Sequence, residues 1–89
     1  MKLVVAIIKD SDAMDVSDAL VENNFRVTRI ASSGGFLRRG NVTLLIGVEE
    51  AALDNLFETI TQACHTPPSP TEHKATIFVL QAEDFVQLG

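Results

Sequence analysis

Residues 25–47, FRVTRIASSGGFLRRGNVTLLIG, decide how the rest of the chain is read. Residues 25–31 form a strand pattern, with Phe25, Val27 and Ile30 as its apolar positions and Arg26, Thr28 and Arg29 looking outward. Arg26 and Thr28, two apart, fall on one face of that strand. Residues 32–40 are a loop whose Gly34-Gly35 pair supplies positive φ angles and lets a ligand come close to the backbone. Residues 41–48 are the next strand, so the stretch predicts an antiparallel pair. It holds four of the seven basic residues (Arg26, Arg29, Arg38, Arg39) and no acidic one, inside a chain of net charge -5. A positive island with hydroxyls at Thr28, Ser32, Ser33 and Thr43, and with Phe36 able to stack or to fill a contact between subunits, suits an anion carrying a base. The glycine pair lacks the strand-glycines-helix context of a P-loop or dinucleotide fingerprint, and alone it fits an ordinary hairpin equally well.

Outward from this stretch, residues 3–8 are a continuous Val/Ile-rich run, the pattern of a central strand covered on both faces. Asp10, Ser11 and Asp12 offer helix caps, and Asp12 and Asp15 complement the helix dipole. Ala13, Val16, Ala19 and Leu20 make one apolar helix face, and Asn23-Asn24 tolerate the left-handed conformation that ends a helix. Residues 49–64 are the clearest helix, with Leu53, Leu56, Phe57, Ile60 and Cys64 on one side. The proline-rich residues 65–73 break it. Residues 74–81, KATIFVLQ, are a last strand before a short tail.

The order β-α-β-β-α-β predicts an α+β, ferredoxin-like fold: an antiparallel four-stranded sheet with both helices on one face. Two helices cover only one face. The apolar residues left on the other predict a symmetric oligomer that packs sheet faces together.

Eighty-nine residues predict one domain, 1–89, that buries only about 60–65% of its unfolded surface. The mean hydropathy of +0.19 fits apolar surface covered by a partner subunit. The start, MKLVVAIIKD, turns acidic without a cleavage-type site and reads as a strand rather than a signal peptide. No run is long enough for a membrane helix, one cysteine permits no intrachain disulfide, and the expected address is the cytosol. The acidic balance (pI about 4.7) and the lack of sheet aromatics in an RNP pattern argue against a nucleic-acid partner. No spacing pairs an acid with a base, so no catalytic residue is nominated. His65 and His73, eight apart with Cys64 beside the first, match no structural zinc pattern and read as solvated loop histidines, with Cys64 in the core. No metal and no cofactor is implied.

MKLVVAIIKD, ENNFRVTRIASSGGFLRRGNVTLLIGVEE and ATIFVLQAEDFVQ together resemble the cyclic di-AMP receptor family of PII-like signalling proteins. The resemblance implies a homotrimer of ferredoxin-like subunits that binds ligand in the clefts between subunits. It also implies a non-enzymatic signalling role, in which ligand reshapes loops that engage a downstream protein. Arg26 and Thr28 resemble the family's strand contacts to the ligand. Gly35, Phe36 and Leu37 correspond to the segment that wraps the nucleotide, with backbone donors toward phosphate. Asn41 and Gly47 match positions at the adenine, and Phe78 and Gln87 match apolar and polar contacts around the cleft. Residues 65–73 depart from the family's long loop, with its Gly-Gly-Asn segment and aromatic arm, and leave the cleft more open. The alternative is a trimeric protein-interaction scaffold that has lost nucleotide binding with that loop. A metal-responsive trimer of the same subunit shape is a third reading.

Overall fold

The computed structural model describes residues 1–30, 40–65 and 75–82. Four strands, β1 (Lys2–Lys9), β2 (Arg26–Ile30), β3 (Asn41–Val48) and β4 (Ala75–Gln81), form one antiparallel sheet in the order β2-β3-β1-β4. Helix α1 (Asp10–Glu22) joins β1 to β2. A 3₁₀ turn (Glu50–Ala52) and α2 (Leu53–Ala63) follow β3. This is the expected ferredoxin-like topology. The sequence drew the second helix as one unit over 49–64. Its first turn is wound tighter, and Cys64 has already left the helix at φ -81, ψ 144.

The core lies between the sheet and the two helices. Val4, Ala6 and Ile8 of β1 and Val42, Leu44, Ile46 and Val48 of β3 point toward the helices. Val16 and Leu20 of α1, Leu56 and Ile60 of α2, and Cys64 meet them there. Alternate residues of the same strands therefore face away from the helices. Cross-strand register puts Leu3 beside Gly47 and Leu80, and Val5 beside Leu45 and Phe78. Leu3, Val5, Ile7 and Leu45 are half-buried on this second face, and Phe78 and Leu80 are 52% and 50% exposed.

Helix α1 ends as the Asn-Asn pair predicts. Asn24 takes φ 67, its N–H donates to Val21 O and the Phe25 N–H to Leu20 O, which is a Schellman closure. Its start differs from expectation. The N-cap residue is Lys9, and no side chain caps the helix. Instead the Asp10 N–H donates to Gly40 O at 2.7 Å, so the polar group at the helix start is satisfied from across the sheet. Gly40 sits at φ 89, and a Cβ there would meet nothing within 4 Å. We expect Gly40→Ala to cost about 1–2 kcal/mol, all of it backbone strain. Denaturant unfolding checks this, and Gly40→Asn should cost less because Asn visits this region more readily.

Candidate functional site

Strand β2 is an edge strand, so its side chains alternate between the helix side and the open side. Arg26, Thr28 and Ile30 share the open side, and Val27 and Arg29 share the other. This corrects two assignments made on apolar character alone. Ile30 is 39% exposed beside Arg26 and Thr28, and Arg29 turns away from them. The Arg29 guanidinium lies 3.7 Å from the Asp10 carboxylate at the start of α1. Among the described residues the positive stretch is thus divided between two sides of the sheet, with Arg26 on the open face and Arg29 on the other.

Arg26 is paired directly across from Gly47. A Cβ built at Gly47 meets nothing within 4 Å, so the missing side chain leaves a flat floor beside the arginine. Thr28 stands one row further along the same face, opposite Leu45. Asn41 and Phe78 are on this face too, but not close by. Asn41 is six residues from Gly47 along β3, about 20 Å at 3.4 Å per residue. Phe78 shares the row of Thr28, Leu45 and Val5, but on the opposite edge strand, three strand spacings or about 14 Å away. Gly35, Phe36, Leu37 and Gln87, together with Arg38, Arg39 and His73, lie outside the described residues. Thr43, one of the small hydroxyls of the stretch, is only 6% exposed on this face, and among the described residues its hydroxyl has no hydrogen-bond partner.

Beyond Arg26 and Gly47 the face runs into an open groove of about 320 Å³, walled by Asn24, Phe25, Glu49 and Asn55. Its amides and carboxylate can each pair with the edge of a base or with a ribose hydroxyl. Sequence reasoning assigned Asn24 and Glu49 to helix ends and gave Asn55 no role. No spacing signal marks residues 24 and 55 as neighbours, because only the β2–β3 pairing and the turn into α2 bring them together.

A second polar cluster sits at the start of α1. Asp12, expected as a partner of the helix dipole, is 2% exposed. Its Oδ1 accepts the His65 backbone N–H at 3.4 Å and lies 3.4 Å from His65 Nε2. Asp15 Oδ2 is 3.7 Å from the same Nε2. His65, though its side chain is 69% exposed, is therefore tied to α1 rather than simply solvated. Cys64 is buried in the core, as its place in the apolar pattern predicts. Among the described residues no group of three His, Cys, Asp or Glu side chains is placed to hold a metal ion. Among the same residues no helix is long and apolar enough to cross a membrane.

Comparison with known proteins gives this face a context. A crystal structure of a functionally unknown protein from Pediococcus pentosaceus ATCC 25745 is 38% identical and superposes with a TM-score of 0.77. The match covers 98% of this chain and 96% of that one. The family model described as the cyclic-di-AMP receptor matches residues 1–70, a span that holds β1, both helices, the Arg26–Gly47 pair and Asn41. With this match over most of its length, the chain belongs to the cyclic-di-AMP receptor family.

Proposed function

We propose that the protein is a cytosolic PII-like receptor that binds cyclic di-AMP, or a related adenine nucleotide, in the clefts between subunits of a homotrimer. It acts by binding and not by catalysis. One observation carries the intersubunit reading. Arg26, Thr28 and Gly47 cluster on one sheet face, and Asn41 and Phe78 share that face but stand too far from them for a single chain to close around one nucleotide. Two copies meeting across that face would bring the Arg26 edge of one near the Phe78 edge of the other, and would cover the half-buried Leu3, Val5, Ile7 and Leu45.

In this reading Arg26 supplies a charge-assisted donor to phosphate and Thr28 a hydroxyl beside it. Gly35, Phe36 and Leu37 wrap the nucleotide. Asn41 and Gly47 approach adenine, and Phe78 and Gln87 complete the cleft. The test is calorimetric titration with cyclic di-AMP, with ATP, AMP and cyclic di-GMP alongside. Micromolar or tighter binding of cyclic di-AMP, near one per subunit, is the expected result. Binding of another nucleotide alone keeps the cleft and changes the signal. Silence with all four favours a ligand-free scaffold.

Gly47→Val separates the site from the fold. Valine suits a strand better than glycine does, and nothing lies within 4 Å of the new Cβ. We expect the melting temperature to hold or rise while nucleotide affinity falls at least tenfold, because the methyls fill the floor beside Arg26. Equal affinity in the variant, measured by the same titration, would remove Gly47 from the site.

A further inference from the structure

We propose that the first turn of α1 couples the nucleotide site to the connection that begins at His65, with Asp10 as the residue that positions the site. The proposal rests on the receptor reading above. Its observations are separate from those that carry that reading.

Residues 31–39 run between β2 and Gly40, and both of their flanks are tied to Asp10. On one side the Arg29 guanidinium is 3.7 Å from the Asp10 carboxylate. On the other, Gly40 O accepts the Asp10 N–H at 2.7 Å. The Asp10 side chain holds one flank, and its backbone holds the other. Gly40 is the position where φ 89 turns the chain into β3, so this bond fixes the start of the strand that carries Asn41 and Gly47.

Two residues further along the same helical turn, Asp12 holds His65 through its backbone N–H and its imidazole, and Asp15 adds a second carboxylate to that ring. His65 is the first residue after α2 and the core-buried Cys64, where the 66–74 connection starts. One short piece of helix thus grips the flanks of the nucleotide-wrapping segment and the root of the connection between α2 and β4. Ala13 and Val16, both at most 1% exposed, seat that piece on the core. Close-packed interiors yield little, so a displacement imposed at Asp10 is carried along the turn rather than absorbed in it. Ligand at the 31–39 flanks then biases how His65 is held, and by linkage the hold on His65 biases ligand affinity.

The experiment uses the full chain and cyclic di-AMP. Imidazole resonances are followed by NMR, with His65→Ala identifying which of the two histidine signals belongs to residue 65. Saturating cyclic di-AMP is expected to move the His65 signal in the unaltered protein. Asp10→Asn keeps the backbone hydrogen bond and the side-chain volume but removes the charge that Arg29 faces. In that variant the nucleotide is expected to bind at least about fivefold more weakly, the low end of ordinary coupling between sites. At saturation it should move the His65 signal much less, and Asp10→Glu should restore both effects. His65→Ala should itself change the dissociation constant for cyclic di-AMP. Tight binding with an unmoved His65 signal, and with unchanged affinity in Asp10→Asn and His65→Ala, overturns the coupling and leaves the receptor reading intact. No calorimetric binding of cyclic di-AMP, ATP, AMP or cyclic di-GMP overturns both. Purely additive unfolding free energies for Asp10→Asn, His65→Ala and the double variant, without ligand, would also count against the coupling, because groups joined through one rigid turn do not act independently.

Discussion

Leu44→Ala is expected to destabilise the protein by about 2–5 kcal/mol. Leu44 is 0% exposed on central strand β3, flanked by Ala6 on β1 and Arg29 on β2, with the helices over it. The substitution loses the transfer free energy of three carbons and leaves a cavity that two rigidly paired neighbouring strands cannot close. Domains of this size have only about 5–15 kcal/mol in total, so one residue removes a large share. The midpoint of thermal unfolding should fall by roughly 10–40 °C, given 4–8 °C per kcal/mol for a chain this short. Leu45, the next residue, reports on the opposite face. If the second face stays in water, Leu45→Ala costs well under half as much as Leu44→Ala. If copies of the chain pack there, Leu45→Ala approaches the cost of Leu44→Ala, and its effect shrinks as dilution dissociates the assembly, because assembly contributes by mass action. Thermal scans of both variants at two concentrations decide between these. The trimer proposal requires the second result.

Arg26→Ala is expected to weaken cyclic di-AMP binding by roughly ten- to hundred-fold, the value of one charge-assisted hydrogen bond at about 1.5–3 kcal/mol. Melting should barely change. Arg26 is exposed on edge strand β2, and substitutions at such places move stability by about 0.5 kcal/mol or less. Arg26→Lys should fall between, since lysine keeps the charge but loses the planar fork that grips phosphate. Arg29→Ala is the comparison that matters most. A reading from charge alone treats Arg26 and Arg29 as equals. The structure puts them on opposite sides of the sheet, with Arg29 beside Asp10, so if the receptor reading holds, removal of Arg29 should cost less than that of Arg26. Unchanged binding in Arg26→Ala, by calorimetry at physiological salt, would show that the site is elsewhere. Equal losses in the two variants would point to a diffuse electrostatic effect rather than a contact.

Much of the fold could be read directly. The β3 bounds, Asn41–Val48, agree with the apolar run that ends near Gly47, and the buried face of α2 is carried by Leu56 and Ile60 as their spacing requires. Asn24 was legible as a left-handed helix stop because few residues other than glycine accept that conformation cheaply. The candidate site was legible only in part. Arg26 and Thr28 emerge from two-residue alternation, a local property. The orientation of Arg29 was missed because Ile30 drew the apolar side of the strand toward itself. In the sheet, register with β3 sends Ile30 outward and Arg29 toward the start of α1.

By itself, the sequence determined the order of elements, the face that each helix buries, the glycine-rich positive stretch and the family resemblance. All of these are set by neighbours within a few residues, through side-chain periodicity and backbone preference. The tertiary structure alone decided that Asp12 is buried against His65, that Asp10 ties both flanks of residues 31–39, and that Arg26 and Gly47 share a floor opening onto a groove with Asn55. Each of these joins residues 19 to 53 positions apart. Their meeting depends on strand register and on how the helices sit on the sheet, and no local pattern encodes either. The same register sets Asn41 and Phe78 apart from Arg26, Thr28 and Gly47 on one face, which is the physical reason for looking to a second copy of the chain to complete the site.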